Sequence, residues 1–309
     1  MTEPVAAETG TQEVGRGSLS ADAWRALRKS PRFWLAAVIV ALVMLMAVWP
    51  QLFVSISPAT HDPFDCSLRA DDGSFQDRLP PSADHWFGTD VQGCDYYARV
   101  MYGARASIVV GVGATLVALL IGLALGGIGG YYRGWPDAVI SRVTDLFFAV
   151  PYVVGAILLL TVIGDEGRST LQVLLVIGVL SWPLASRIVR SSVLGVTQQE
   201  YVEAARAVGA SDARIVTRHV LPNSFAPVFV FSMISIGAII GVEATLSFLG
   251  VGLQLPAISW GLMINTAQSY VFDSPHLLLF PGLFVTLTVL AFLLLGDALR
   301  DAFDPRLQR

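Results

Sequence analysis

Lysine is almost absent from this chain: of its 20 basic residues only Lys29 is a lysine, and the rest are arginines. A P-loop needs a lysine after a glycine-rich turn to reach the β- and γ-phosphates of a nucleotide. Lys29 sits in Ala26-Leu27-Arg28-Lys29-Ser30-Pro31 with no glycine before it, so any nucleotide hydrolysis has to come from another chain. Charge of either sign is also scarce, at 14% of residues, against about 25% in soluble proteins. With 309 residues, 54% of them hydrophobic, and a mean hydropathy of +0.63, there is too little polar surface to cover a globule. Disorder, nucleic-acid binding and a disulfide-framework toxin are excluded on the same grounds. The four histidines, His61, His85, His219 and His276, fall in no metal-ligand spacing, and no GxSxG or CxxC occurs. We therefore expect no catalytic residue, no metal site and no cofactor in this chain.

Uncharged apolar sequence is what the chain has in quantity. Runs at 33–60, 106–132, 146–164, 169–186, 220–242 and 274–296 each approach or exceed the ~18 to 20 residues that cross ~30 Å of hydrocarbon as a helix. The expected fold is an all-α membrane protein with six transmembrane helices, at about 33–53, 106–130, 141–163, 171–190, 225–249 and 277–299. The inner segments (1–32, 131–142, 187–224, 300–309) then hold 15 of the 20 basic residues in 92 positions, against five in 85 for the outer ones. By the positive-inside rule both termini are cytoplasmic. The stretch 244–272 is interrupted by Pro256, Ser259, Gln268 and glycines, and reads as an external half-helix or loop. The organisation expected is a disordered tail 1–24, a segment 25–104 with the first span and an outer loop, a core 105–303 with five spans and a cytoplasmic loop 191–224, and a tail 304–309.

Several residues stand out against this background. Cys66 and Cys94, the only cysteines, both lie in the outer loop, where a disulfide persists; a bridge and two unrelated thiols are the alternatives. Seven glycines crowd the second span, including Gly122-x3-Gly126 and Gly126-x3-Gly130. No strand precedes them, so they predict close helix packing and not a phosphate loop. Arg142 and Asp145, spaced i, i+3 near the inner end of the third span, can pair on one helical face. The pair is an interfacial strut, or Asp145 belongs to a pathway or gate. Glu243 lies ~27 Å along the fifth span with no cation on its own helix; it lines an outer vestibule or caps the broken segment beyond it.

The cytoplasmic loop between spans four and five is long enough to require a purpose. Residues 199–208 are strong helix formers and stop at Gly209; Ser211 and Asp212 suit the start of a second short helix, and Leu221-Pro222 predicts a break before the next span. Helix, glycine elbow, short helix and proline stop make a projecting knob. Glu203-Ala204-Ala205-x3-Gly209-x9-His219-x-Leu221-Pro222 resembles the EAA signature of permease subunits of bacterial ABC importers. The resemblance implies that Glu203, Ala204, Ala205, Gly209, Ser211, Asp212, Arg214, Ile215, Arg218, His219, Leu221 and Pro222 form the loop that couples to an ATPase.

Other motifs narrow the family. Trp86-Phe87-Gly88-Thr89-Asp90-x2-Gly93-x-Asp95, Tyr102-Gly103-Ala104-Arg105-x-Ser107, Glu243-x2-Leu246-Ser247-Phe248-Leu249-Gly250-Val251-Gly252 and Leu295-Gly296-Asp297-x2-Arg300-Asp301-x2-Asp304-Pro305-Arg306 are similar to the C-type permeases of dipeptide, oligopeptide and nickel importers. The sequence departs from them at Cys94 and in the acidic stretch 61–84. The resemblance implies a type I (MetI-like) importer permease in the bacterial inner membrane. It also implies a B-type permease as heterodimer partner, two ATP-binding subunits carrying ATP and magnesium, and an extracytoplasmic solute-binding protein. Peptides are the implied substrate, with nickel or a metal chelate as the alternative. A secondary transporter would show an inverted repeat of broken helices and no such loop. An intramembrane protease would need a Ser/His pair, paired in-membrane aspartates or HExxH, none of which is present.

Overall fold

In a computed structural model of the chain, residues 19–59, 62–64, 66, 73, 75–164 and 169–303 are described. Most of the two tails, parts of the outer loop between 60 and 74, and 165–168 lie outside the described residues; they include His61, Arg69, Arg168 and the Asp304-Pro305-Arg306 end of the last motif. The regular elements among the described residues are helices, and isolated β-bridges join Cys66 to Cys94 and Thr89 to Asp95.

α1 (Leu19–Lys29) is amphipathic and buries Ala23 and Leu27. Ser30 then caps α2 (Pro31–Val48), its hydroxyl accepting from the Phe33 N–H at 3.3 Å. Leu35, Val38 and Leu42 stay exposed on α2, as a lipid-facing helix requires. The first span does not run unbroken to Phe53: α2 stops at Trp49, and Pro50 opens a separate turn, α3 (Pro50–Val54). Proline favours a first helical position because it has no N–H to leave unpaired there. Arg105, 57 and 58 positions on, donates to the free carbonyls of Val48 and Ala47 at 3.1 and 3.0 Å and so closes the end of α2.

α4 (Tyr96–Tyr132) has 37 residues, about 55 Å of helix. It starts ten residues before the expected position because Asp95 caps it, accepting from the Ala98 N–H at 2.9 Å. The boundary drawn between 104 and 105 therefore falls inside one helix. The third span is not one helix either. α5 (Gly134–Ala149) and α6 (Tyr152–Ile163) meet at an angle of 85°. Val150 is extended (ψ 123°) ahead of Pro151, the conformation that a succeeding proline imposes. α7 (Thr170–Thr197) runs to Thr197, beyond its expected end at 190. It lies against the glycine face of α4. A Cβ on Gly122 would stand 2.7 Å from that of Ala185, and one on Gly130 2.9 Å from the Arg190 carbonyl. The glycines thus serve close packing between helices of this chain.

After the cytoplasmic knob, α10 (Leu221–Phe248) rises to a tight turn and a short outer helix, α11 (Trp260–Ala267), and α12 (His276–Phe303) returns. The proline stop expected at Leu221-Pro222 is absent: helical structure is continuous from Asp212 to Phe248. A π turn at Val216–Val220 precedes the proline, with the Leu221 N–H reaching back five residues to the Val216 carbonyl. This wider turn relieves the contact that a proline ring makes with the preceding turn of an α-helix. Five described helices are long and apolar enough to cross a membrane, and the bent pair α5–α6 makes the sixth span.

Candidate functional site

The knob is built from α8 (Glu200–Ala207), an elbow at Gly209, α9 (Asp212–Ile215) and the π turn. Gly209 holds φ at +81°, a left-handed conformation nearly free for glycine and strained for other L-residues. The Ala210 N–H bonds the Ala205 carbonyl at 3.1 Å and the Gly209 N–H that of Arg206 at 3.0 Å, closing α8 in the manner of a glycine C-cap. Ser211 occupies the cap position of α9, but its hydroxyl makes no capping bond. Asp212 points instead to the membrane bundle and accepts from the Tyr131 hydroxyl, at the end of α4, at 2.6 Å. The Arg206 guanidinium lies 5.6 Å from the centre of the same ring, within cation–π range.

The two sides of the knob differ. Val202, Ile215 and Val220 are buried with Val189, Val193 and Val228 of the bundle. Burial of each aliphatic side chain is worth about 1.5–3 kcal/mol, which seats both short helices. Glu203, Ala204, Arg214, Arg218, Leu221 and Pro222 face outward, Ala205 and His219 are half-buried, and Glu203 forms no salt bridge with another described residue. Tyr201 stands 6.1 Å from His219, ring to ring, and Val208 is 85% exposed at the tip. Tyr131, Arg206, Val202 and Val208 were not singled out by sequence. Tyr131 and Arg206 act across 81 and 75 positions, which no local pattern reports, whereas Val202 could have been found as the apolar position of an otherwise polar helix.

A cavity of about 690 Å³ opens in the membrane region beside the α5–α6 bend, lined among others by Phe147, Phe148, Tyr152, Leu158, Phe231 and Val242. At its margin α5 crosses α7 over two ion pairs. Asp137 and Arg190 pair through both oxygens, with Nη2 to Oδ2 at 2.6 Å, a fork that fixes orientation. Asp145 is 3.7 Å from Arg142, as the i, i+3 spacing predicts, but only 2.8 Å from Arg187 on α7. About half of each side chain in that closer pair is exposed, so the pair adds only ~0–1 kcal/mol.

Glu243 is fully buried (0% exposed), so it lines no open vestibule within this chain. Its carboxylate accepts from Ser247 at 2.9 Å and from Ser107 of α4 at 3.0 Å. The Ser247 hydroxyl in turn accepts the Leu253 N–H at 3.1 Å, which ties the carboxylate to the turn beyond α10. Cys66 and Cys94 are bonded to each other. Asp90 sits beneath, paired with Arg99 and accepting the Cys94 N–H at 3.0 Å. Among the described residues no group of three or more His, Cys, Asp and Glu side chains is placed to hold a metal.

Residues 101–309 match the family described as the inner membrane component of binding-protein-dependent transport systems. The chain belongs to this family. Residues 18–81 also match the N-terminal transmembrane domain of oligopeptide transport permease C. The permease is 38% identical over 285 residues to the glutathione transport system permease protein GsiD of Pectobacterium atrosepticum, covering 92% of this chain and 90% of that one. It is 37% identical over 288 residues to the dipeptide transport system permease protein DppC of Alkalihalophilus pseudofirmus, covering 93% and 90%. Over 66% of its length its fold is similar to that of a chain in the inward-facing MetNI methionine ABC transporter, 96% of which is covered, with a TM-score of 0.56 at 16% identity. The protein is thus a multi-pass subunit of an ABC importer in the bacterial inner membrane.

Proposed function

We propose that this permease is the C-type half of a heterodimeric channel for short peptides, and that the knob is the surface through which two ATP-binding subunits drive it. The observation that carries the reading is the two-sided knob: buried aliphatic residues on its inner side and Glu203, Ala204, Arg214 and Val208 exposed on the other. A hinge seated firmly in the bundle and presenting small residues outward can transmit force without chemistry of its own. Hydrolysis, with its ATP and magnesium, then resides in the partners, in keeping with a chain whose one lysine has no P-loop around it. A B-type permease completes the channel, and an extracytoplasmic binding protein delivers the substrate. The relatives named for dipeptide and glutathione transport favour peptides as cargo.

Reconstitution with the partner subunits tests this. Expected are copurification of P-loop ATPase subunits, uptake of labelled dipeptide that requires both ATP and the binding protein, and hydrolysis without uptake in Glu203→Lys. Purification without ATPase subunits, or uptake unaffected by ATP, would overturn the reading. Competition by metal chelates and not by peptides would move the cargo to the alternative class.

A further inference from the structure

The margin of the large apolar cavity carries charge for which coupling has no use. A polar pocket of about 310 Å³ adjoins it, with Ser141, Thr144 and Asp145 from α5 and Ser186, Arg187 and Arg190 from α7. No residue lines both spaces, but they are neighbours along both helices: Asp145 is adjacent to Leu146 of the cavity, and Leu184 of the cavity lies one turn before Arg187. Arg187 is 17 residues from the outer end of α7, about 26 Å along the helix, so the pocket faces the cytoplasmic side.

Charge in the cluster does not balance. Asp137 and Arg190 satisfy each other, whereas Asp145 serves both Arg187 and Arg142. One guanidinium is therefore in excess among these described residues. Arg187 is also held in place, with its guanidinium 4.1 Å over the ring of Phe148, a cavity wall residue. Asp145 has a second cation within reach, so releasing Arg187 leaves no carboxylate unpaired. About half of each side chain in the closer pair is open to the space outside this chain, so a ligand can reach it without displacing the packing of the bundle.

We propose that Arg187 is a release-side binding residue for the C-terminal carboxylate of a transported peptide, with Asp145 as its intramolecular competitor. The peptide's carboxylate takes the guanidinium in the planar, two-bonded manner that arginine favours, Asp145 turns to Arg142, and the peptide side chains remain in the apolar cavity. This rests on the peptide-permease reading and adds to it a residue, a chemical group and a side of the membrane.

The experiment uses the assembled complex in nanodiscs without binding protein, so that delivery cannot supply the selectivity. Binding of a labelled dipeptide is compared with that of its C-terminal amide. The wild type is expected to prefer the free carboxylate about ten-fold. Arg187→Gln should abolish the preference and Arg187→Lys should keep part of it. Asp145→Asn should strengthen binding of the free carboxylate by up to about five-fold, a gain that a merely structural ion pair does not predict. Equal affinity for acid and amide in the wild type, or weaker carboxylate binding in Asp145→Asn, would overturn the proposal. So would a preference that appears only when anionic lipid is left out of the nanodisc, since a lipid phosphate would then be the anion Arg187 takes. In parallel, ATP-driven peptide uptake by the wild type separates the two readings: absent uptake defeats both, whereas uptake with no acid preference defeats this one alone.

Discussion

Placing alanine or valine at Gly209 strains the elbow of the knob without crowding it. A Cβ built there meets nothing within 4 Å, so the backbone bears the whole effect. Holding φ at +81° costs an L-residue roughly 1–2 kcal/mol, which shifts the local equilibrium away from the elbow geometry about 5- to 30-fold. Anchoring of the two helices by Val202 and Ile215, both fully buried, is worth about 3–6 kcal/mol together. Because the anchors exceed the strain, the helices stay on the bundle and only the angle between them is lost. Assembly and delivery by the binding protein should survive while peptide imported per ATP hydrolysed falls, more for the β-branched valine than for alanine. Asparagine tolerates left-handed backbone, so Gly209→Asn should stay close to the wild type. Proteoliposomes containing the whole complex give both quantities at once. An unchanged ratio in the alanine and valine variants would refute the reasoning, as would an asparagine variant as impaired as the valine one.

Glu243→Leu removes the acceptor from two buried hydroxyls, Ser107 and Ser247, and should destabilise the subunit by roughly 2–6 kcal/mol. Glu243→Gln keeps an acceptor and should retain both stability and uptake across pH; a stable Gln variant that imports nothing would instead place Glu243 in the transport step. Peptide mapping of the non-reduced protein should return Cys66 and Cys94 in one cross-linked species, and recovery of both as free thiols would end the idea that the outer loop is stapled over α4.

The bundle was legible in the sequence because its signals are local: run length, the bias of arginine toward one side, and glycines spaced for close packing. The breaks were harder to read. Pro151 ends α5 at an 85° corner, yet Pro183, Pro227 and Pro281 lie within helices that continue past them. A proline alone therefore does not say whether its span is broken; what decides is whether the turn before it stays helical, as before Pro222, or its last residue turns extended, as Val150 does. Leu221-Pro222 misled in the opposite direction, since the π turn that accommodates it has no composition of its own. The knob motif was readable through Gly209 to the start of α9 at Ser211 and Asp212, Val202 excepted, but its attachment through Tyr131 and Arg206 was not, nor was the pairing of Asp145 with Arg187. Such contacts join residues tens of positions apart, and periodicity reports only neighbours along one helix.

The unbroken run from Asp212 to Phe248 is 37 residues, about 55 Å from end to end. One end is the cytoplasmic knob; the other is the carboxylate-and-serine clasp that holds the turn before α11. A helix of that length can carry movement from one end to the other, with the π turn and Pro227 as its places to bend. Tilt at the cytoplasmic end, where we propose that the ATPase subunits act, reaches the outer surface to the extent that those two places do not absorb it, through one piece of backbone and without a relay of side chains.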